Sequence, residues 1–370
     1  MKKKIENYFI KIINGTNKSI FSCFFRFFLR ILSYFFQIIV SVRNFAFDKK
    51  LLRQYYPPVP VIISVGNIVA GGAGKTPATL LLAKQFYETF HLAILSRGYK
   101  SPAEHLPVPI MLSKGNGPMH PASYCGDEPY LLSQNLPKAF VFVGKDRHKS
   151  SDMAVRVGSQ VIFLDDGMQH RRLARDFEVV VIDSKDPFGM GFFLPRGFLR
   201  EGVKSLSRAN LIILNHTNDN AQFETLKKTI TRYSKAPIIG TKMKVVQLKD
   251  LAGNNLESIA SKKVGLFCGI AHPQYFLQTV EDLKAEVVDS YYLSDHSAFD
   301  YFSLDAFAKQ CKGKGAEYLV CTEKDRVKIN TTINCSLPII WIQSQLEVVE
   351  GQEEWEQFLD KVRSDLLLRI

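Results

Sequence analysis

A short segment near residue 70 constrains the fold of this chain more than any other. The apolar run at residues 59–67 leads into a glycine-rich turn at 71–76, and a helical stretch at 78–83 follows. This order is typical of a phosphate-binding loop, because glycines let backbone N–H groups converge on an anion at the positive end of a helix. The segment therefore predicts an α/β fold that binds a nucleotide triphosphate.

The residues of this loop have distinct expected roles. In the general pattern G-x-x-x-x-G-K-[ST], the lysine reaches the β- and γ-phosphates and the hydroxyl ligates Mg²⁺; here these residues are Lys75 and Thr76. The expected nucleotide contacts are Val69, Ala70, Gly71, Gly72, Ala73, Gly74, Lys75 and Thr76. Val69 replaces the first glycine of the pattern, and Gly71-Gly72 partly compensates. The alternative is a flexible turn that merely precedes Lys-Thr, but the flanking strand and helix favour the phosphate loop.

The charge of the chain is concentrated at its N-terminus. The 370 residues are 46% hydrophobic and 23% charged, which is ordinary for a globular protein and enough for two domains. The formal net charge is +12, and residues 1–53 carry eleven Lys and Arg against Glu6 and Asp48. The remaining body is close to neutral, so we expect no nucleic-acid partner and a basic segment that meets an anionic membrane surface. The six scattered cysteines predict reduced thiols in the cytosol.

Residues 20–42 predict an amphipathic helix at a membrane. The polar residues that interrupt this apolar run at helical spacing are Ser22, Arg26, Arg30, Ser33, Gln37 and Ser41. Placing Arg26 and Arg30 at the centre of a bilayer would cost about 2.5–3.5 kcal/mol each, whereas an interfacial helix lets both reach the headgroups. The alternatives are a core helix that caps the nucleotide domain and a signal peptide, which the late, long apolar run disfavours.

The remaining chain alternates strand-like and helical stretches, as in a doubly wound α/β fold. The predicted strands are residues 91–95, 139–143, 161–164, 179–182, 211–214, 237–239, 264–268, 318–321 and 339–342. Because these exceed one comfortable sheet, we predict two Rossmann-like α/β domains. The predicted division is a membrane-associating segment at 1–53, a nucleotide-binding domain at 54–176 and a second domain at 177–370. Helices at 303–311 and 353–368 would cover the second domain or return to the first.

Polar residues that follow apolar runs are the candidates for chemistry, because ligands bind beyond the carboxyl ends of parallel strands. Asp165 and Asp166 end the run at 161–164 and form a candidate Mg²⁺ site. The alternative is a simple Asp-Gly turn. Arg200 offers a guanidinium for phosphate or substrate charge, although a surface Arg-Glu pair would look the same. Asp127 fits a helix N-cap if taken alone, and His296 beside Asp295 is an acid/base candidate.

Taken together, these motifs resemble an ordered set found in one enzyme family. The motifs are Gly71–Thr76, Ser96-Arg97-Gly98-Tyr99, Gly126-Asp127-Glu128-Pro129, Asp165-Asp166-Gly167-Met168-Gln169-His170, Pro195–Glu201, Ser294-Asp295-His296 and Thr322-Glu323-Lys324-Asp325. The chain resembles the tetraacyldisaccharide 4′-kinases, membrane-associated lipid A kinases of Gram-negative bacteria. In that family the phosphate loop also lacks the first glycine, whereas Met168 stands where an aromatic is usual.

The resemblance implies a substrate, a reaction and a set of site residues. The reaction would transfer the γ-phosphoryl group of ATP, with Mg²⁺, to the 4′-hydroxyl of an acylated glucosamine disaccharide lipid at the cytoplasmic face of the inner membrane. The residues that match family roles are Lys75 and Arg200 in catalysis, Asp127 and His296 as a base dyad, Thr76, Asp165 and Asp166 at the metal, Glu201 near the nucleotide, and Tyr99 and Arg147 at the substrate. We expect a monomer.

The main alternative is a membrane-associated phosphate-loop ATPase or GTPase that acts as a switch or transport motor. A GTPase would show the guanine-reading pattern [NT]-K-x-D, but Lys324 and Asp325 are adjacent and have the wrong spacing. The chain also lacks the nucleophile pattern G-x-S-x-G, which disfavours a serine hydrolase.

Overall fold

The chain divides into two compact units in the computed structural model, which describes residues 12, 19–217, 219–293, 299–329 and 335–370. Unit 1 comprises residues 1–95, 147–242 and 348–370, and unit 2 comprises residues 96–146 and 243–347. Because the chain passes between the units four times, neither unit is a continuous stretch of sequence.

Helices and strands alternate along most of the described chain. The strands are β1 (Val61–Gly66), β2 (Leu92–Ser96), β3 (Ile110–Lys114), β4 (Phe140–Val143), β5 (Val161–Asp165), β6 (Phe177–Asp183), β7 (Leu211–Asn215), β8 (Ile238–Asp250), β9 (Asn255–Leu256), β10 (Lys263–Cys268), β11 (Glu286–Tyr292), β12 (Tyr318–Thr322) and β13 (Ile339–Glu350). The α-helices are α1 (Ile20–Asp48), α2 (Lys75–Ala83), α3 (Ala122–Cys125), α4 (Asp127–Asn135), α5 (Arg147–Arg156), α6 (Asn220–Ile230), α7 (Pro273–Asp282), α8 (Tyr301–Gly313), α9 (Glu323–Arg326) and α10 (Gln352–Arg369). Short 3₁₀ helices span Pro102–His105, Gly189–Gly191 and Val203–Arg208.

The strands of unit 1 form a parallel sheet in the order β2-β5-β1-β6-β7-β8. Strands β1, β5, β6 and β7 are buried along their whole length, which explains why their sequences are nearly uninterrupted apolar runs. Val61 pairs with Val161, and Val65 pairs with Asp165. The phosphate loop after β1 and the acidic pair after β5 therefore leave the sheet side by side at its carboxyl edge.

Unit 2 contains several groups of paired strands and its own apolar core. Strands β11, β10, β12 and β13 pair in parallel in that order, while β3 pairs antiparallel with β4 and β9 pairs antiparallel with β8. One apolar cluster includes Leu304, Phe307 and Trp341, and a second includes Val280 and Ile340. The α/β architecture predicted from the sequence is thus confirmed.

All nine strands predicted after the phosphate loop are present, but three further strands, β3, β9 and β11, were missed. Strand β9 is only two residues long. Strand β11 is half-buried over most of its length, so it shows no continuous apolar run. Strand β3 is interrupted where its register with β4 shifts between Met111 and Ser113. Strands β3 and β11 both have the mixed composition of partly exposed segments. The pattern of apolar residues alone does not distinguish such segments from loops.

The predicted linear boundary near Phe177 is not where the compact units divide. Strands β5 and β6 lie on either side of that boundary in sequence, yet both pair with β1 inside unit 1. The C-terminal helix α10 also belongs to unit 1, where Arg369 donates to Asp176 and to the carbonyl of Pro60. Strand pairing between distant segments, which alternation along the chain does not reveal, causes the difference.

Helix α1 buries one narrow stripe and leaves most of its other residues exposed. Its buried residues are Ser22, Leu29, Ser33, Val40 and Phe47. The Ser33 hydroxyl donates to the carbonyl of Phe193 over 2.8 Å, and the Phe36 ring meets the Phe193 ring edge-on. Phe24 is 74% exposed and Phe35 is 61% exposed. The alternative of a buried core helix is therefore wrong. Of the helices that the structure describes, α1 is long and apolar enough to cross a membrane, judged by length and composition.

Candidate active site

The phosphate loop of unit 1 ends in a backbone shape that requires glycine. Gly74 has φ +87°, and helix α2 begins at the next residue, Lys75. A Cβ atom on Gly74 would lie 2.2 Å from Nδ2 of Asn215. Asn215, the last residue of β7, donates through this nitrogen to the carbonyl of Ala73 over 3.2 Å. The end of β7 therefore fixes the loop, and only glycine fits between them.

Val69 and Ala70 precede the glycine-rich turn that begins at Gly71. Val69 forms a bridge with Leu199, its side chain packs on the core of unit 1, and Ala70 donates its N–H to the carbonyl of Phe198 over 2.7 Å. This N–H is therefore bonded within the protein, and the nucleotide contact of Ala70 stays a prediction. The valine that replaces the first glycine of the pattern forms this bridge and packs on the core, and the glycine-rich turn follows from Gly71.

Two cations converge on Asp166 at the carboxyl edge of the sheet. The Arg200 guanidinium makes a two-pronged contact, with Nη1 2.8 Å from Oδ1 and Nη2 3.1 Å from Oδ2 of Asp166. Lys75 Nζ lies 3.8 Å from the same Oδ1. The structure thus brings together three residues predicted from separate motifs. Asp166 itself has φ +52°, a left-handed conformation that aspartate tolerates better than most residues.

The charge state of Asp166 follows from these neighbours. Burial raises the pKa of this carboxyl, but the charges of Lys75 and Arg200 and the Arg200 hydrogen bonds outweigh it and lower the pKa to about 2. Asp166 is therefore ionised at neutral pH. Its side chain is 37% exposed, so the carboxylate remains open to a ligand.

Arg147 lies inside unit 1 and is not a surface residue. It is the first residue of α5, is 4% exposed, and donates through Nη2 to the backbone carbonyl of Asp165 over 3.3 Å. Its charge also helps to lower the pKa of Asp166. Arg147 therefore supports the acidic pair and shows almost no surface to a substrate, contrary to its predicted role. Tyr99, in unit 2, is 50% exposed and remains a candidate substrate contact.

Glu201 is the centre of a buried polar cluster that includes helix α1. The carboxylate has no exposed surface. Oε2 accepts from Asn44 Nδ2 at 2.7 Å, Arg208 Nη2 at 2.8 Å and Ser205 Oγ at 2.9 Å, and Oε1 accepts from Gln169 Nε2 at 3.2 Å. Both oxygens are taken by protein donors, so the predicted nucleotide contact is not what this arrangement provides. Glu201 instead links Asn44, in the C-terminal part of α1, to Arg208 and Ser205 through hydrogen bonds.

We expect Glu201→Gln to destabilise the protein in a pH-dependent way. Burial raises the pKa of Glu201, but Arg208 and the donated hydrogen bonds outweigh it and lower the pKa. Uncoupling a buried charge pair typically costs about 3–5 kcal/mol. This stabilisation is present above the unfolded-state pKa of about 4.3 and is lost as the pH falls through the lower folded-state pKa.

Urea unfolding at several pH values checks this prediction, with Glu353→Gln, on the exposed surface of α10, as the matched control. The gap between wild type and Glu201→Gln should be large at pH 7 and shrink below about pH 4.3. A gap that stays constant across this range would show that the Glu201 charge does not contribute.

The predicted base, Asp127, lies in unit 2. It is the first residue of α4, and the capping position is taken by Gly126, with φ +98°. The N-cap alternative for Asp127 is therefore wrong. Its side chain is 13% exposed, and Oδ2 lies 3.5 Å from Lys328 Nζ. The predicted partner His296, together with Asp295, lies outside the described residues.

Several functional candidates were missed because they are neutral amides. Asn67, just after β1, accepts from Arg200 Nη1 through Oδ1 at 3.1 Å and is 1% exposed. Gln169 Nε2 donates to the Asn67 carbonyl over 2.9 Å. Asn215 supports the loop at Ala73. Asn67 and Asn215 each end an apolar run, which is a position where site residues are expected. The sequence prediction considered only charged residues at these positions.

These features define a phosphate-loop protein with a parallel α/β sheet, in which a loop lysine and an arginine converge on a strand-terminal aspartate. The family model of the tetraacyldisaccharide-1-P 4′-kinases, LpxK, matches residues 25–364, and the chain belongs to this family.

Relatives and a solved structure agree with this membership. The chain is 33% identical over 346 residues to the tetraacyldisaccharide 4′-kinase of Halothermothrix orenii, with 89% of this chain and 90% of the relative covered. It is 35% identical to that of Syntrophus aciditrophicus, with 91% and 93% covered. The crystal structure of LpxK from Aquifex aeolicus in complex with ATP matches with a TM-score of 0.75 at 26% identity, covering 91% of this chain and 99% of that one. The resemblance seen in the sequence is confirmed.

Proposed function

We propose that this protein transfers the γ-phosphoryl group of ATP to the 4′-hydroxyl of a tetraacylated glucosamine disaccharide 1-phosphate. The observation that carries the proposal is the convergence of Lys75, Arg200 and an ionised Asp166 behind a glycine-rich loop, in a chain of this kinase family. Such a cluster suits a reaction in which negative charge on phosphate oxygens must be neutralised.

The groups of the two units act on different reactants. Lys75 and Arg200 neutralise charge on the transferred phosphoryl group. A sugar hydroxyl is a poor nucleophile, so Asp127 accepts its proton as the bond from the 4′-oxygen to the γ-phosphorus forms. The bond between the γ-phosphorus and the β,γ-bridging oxygen breaks, and ADP leaves with that electron pair. The products are ADP and the bis-phosphorylated lipid.

The oxygen-bearing side chains near the phosphate loop and at the end of β5 fit a magnesium ion. Mg²⁺ takes few protein ligands and completes its shell with phosphate oxygens and water. The Thr76 hydroxyl and the carboxylates of Asp165 and Asp166 are hard oxygen donors and would hold it. A bound Mg²⁺ would neutralise negative charge on the nucleotide phosphates.

Incubation with γ-labelled ATP and tetraacyldisaccharide 1-phosphate tests the proposal. We expect label in the lipid fraction, at a rate that depends on the lipid. Label released only as free phosphate would favour the alternative of a membrane-associated ATPase, and no turnover at all would favour a nucleotide-binding scaffold.

We further propose that α1 holds the protein at the cytoplasmic face of the inner membrane, where an acylated substrate and cytosolic ATP are both within reach. The exposed apolar face of α1 supports this, as does a basic cluster of Arg26, Arg30 and Arg196 beside its N-terminal half. The Arg30 and Arg196 guanidinium groups lie 5.3 and 4.7 Å from the centre of the Phe192 ring. Burial and the charges of Arg26 and Arg30 lower the pKa of Arg196, so an anionic headgroup would relieve the repulsion.

We expect the double variant Phe24→Asp, Phe35→Asp to lose vesicle binding. Each aspartate at the centre of an apolar helix costs about 2.5–3.5 kcal/mol in hydrocarbon, so binding should fall at least about 100-fold. Flotation with vesicles of phosphatidylglycerol and phosphatidylethanolamine measures this loss. Deleting α1 would be less informative, because it also removes Asn44 from Glu201.

The matched control is Phe302→Asp, which changes a 78% exposed phenylalanine of unit 2. This variant should float like the wild type. Flotation of the double variant at wild-type levels would contradict a membrane role for the exposed face of α1.

A further inference from the structure

We propose that Lys328 is a positioning residue for Asp127, holding the carboxylate that takes the proton from the sugar hydroxyl. The inference rests on the proposed function, since Asp127 has this task only if the chain is the kinase described above. Lys328 lies outside every motif singled out in the sequence.

The ammonium group of Lys328 is buried among oxygens from three segments of unit 2. The side chain is 5% exposed, and Nζ lies 3.5 Å from Asp127 Oδ2 and 3.1 Å from Asp325 Oδ1. It also donates to the carbonyl of Gly269 over 3.4 Å. A buried ammonium group is stable only when its charge is paired and its N–H groups are bonded, so these oxygens define where Nζ lies.

Asp325 serves as the fixed end of this arrangement. It has no exposed surface, and its two carboxylate oxygens accept from the Gly269 N–H at 3.0 Å and from the Thr322 hydroxyl at 2.7 Å. The Thr322 hydroxyl also accepts from the Asp325 N–H at 3.1 Å. Both carboxylate oxygens of Asp325 are thus bonded within the protein. Asp127 is the more exposed of the two carboxylates that Lys328 bridges, and it is the one with surface left for a substrate.

Neighbouring residues of the same segment bind α4 in parallel contacts. Lys324 Nζ lies 2.8 Å from Glu128 Oε1, and Asn135 Nδ2 donates to Glu323 Oε1 over 2.9 Å. The motif at Thr322–Asp325, which resembles the family but had no assigned task, therefore docks α4, and Lys328 adds the contact that reaches the reactive carboxylate. Lys324 and Lys328 provide a natural comparison: the same side chain, four residues apart, pairing with adjacent carboxylates.

Lys328 places a positive charge close to Asp127. The other charged side chains of the surrounding α4 and α9 are Glu128, Glu323, Lys324, Asp325 and Arg326. The nearby thiols are neutral at physiological pH, because burial raises the pKa of Cys125 and of Cys268 to about 12 and that of Cys321 well above its ordinary value. Removing the Lys328 charge should therefore move the acid limb of the kcat profile to higher pH, because an ionised Asp127 loses its partner.

The test compares full-length variants in the lipid phosphorylation assay. Lys328→Met should lower kcat about 10- to 100-fold, within the range of base catalysis, with the KM for ATP unchanged and the acid limb at higher pH. Lys328→Arg, which keeps the charge, should restore most of the activity. Lys324→Met should stay within about threefold of wild type, as expected for a more exposed pair.

A second variant guards against loss of folding. Lys328→Met leaves Asp325 as a buried unpaired charge, so Asp325→Asn with Lys328→Met removes both charges and should fold while keeping the low kcat. Wild-type kcat with an unmoved acid limb in either variant would overturn the inference, as would an equal loss in Lys324→Met. Failure of the proposed function is distinct, because the wild-type protein itself would then transfer no phosphate to the lipid.

Discussion

Replacing Asp127 with asparagine should lower kcat about 10²- to 10⁴-fold, the range contributed by a general base, because an amide cannot accept the proton of the sugar hydroxyl. The dissociation constant for an ATP analogue should stay within about twofold, since the phosphate loop and its cations belong to unit 1 and Asp127 belongs to unit 2. Turnover in the lipid assay and equilibrium binding of the analogue measure the two quantities separately.

Asp282→Asn is the matched control, because Asp282 is an exposed aspartate of unit 2 at the end of α7. It should leave both quantities unchanged. If Asp127→Asn strongly weakened nucleotide binding while the fraction still bound turned over normally, Asp127 would be a structural residue at the start of α4 and not the base.

Replacing Lys75 with methionine should reduce kcat about 10³-fold and also weaken ATP binding, because its ammonium group is the loop cation expected on the β- and γ-phosphates. In the described structure this group already lies 3.8 Å from Asp166, at the edge where the phosphates are expected. Methionine keeps the apolar stem of the side chain, so the loss reports the charge. Single-turnover kinetics with saturating ATP separates the effect on transfer from the effect on binding.

Lys84→Met, at the exposed C-terminal end of α2, controls for removing a lysine from the same helix. It should behave as wild type in both assays. Turnover of Lys75→Met within about tenfold of wild type would mean that Lys75 contributes no more than a single ordinary hydrogen bond, and the loop would lose its assigned role.

The buried parts of the fold could be predicted from the sequence, because buried parallel strands have continuous apolar sequences. β5 and β7 are clear examples. The phosphate loop was predictable for a similar reason, since Gly74 occupies a position where a Cβ atom would collide with Asn215. These features are local, and a single sequence displays them.

Features that depend on distant segments could not be predicted. Strand β1 pairs both with β5, which precedes residue 177, and with β6, which begins there. The predicted domain boundary therefore falls inside unit 1. Glu201 was assigned to the nucleotide because its motif resembles that of the kinase family, yet its carboxylate accepts a hydrogen bond from Asn44, 157 residues away. Arg147 was assigned to the substrate, and only the fold shows that it is buried against Asp165. Charge and motif identify important residues, whereas their partners decide what those residues do.

The central claim is that the protein phosphorylates one particular hydroxyl. The most direct measurement is a correlated ³¹P–¹H NMR spectrum of the lipid product formed from ATP and tetraacyldisaccharide 1-phosphate. The account predicts a second phosphate that correlates with the proton on the 4′ carbon, formed in equal amount with ADP. ADP formed without any new phosphorus–carbohydrate correlation, or a correlation at a different position, would contradict it.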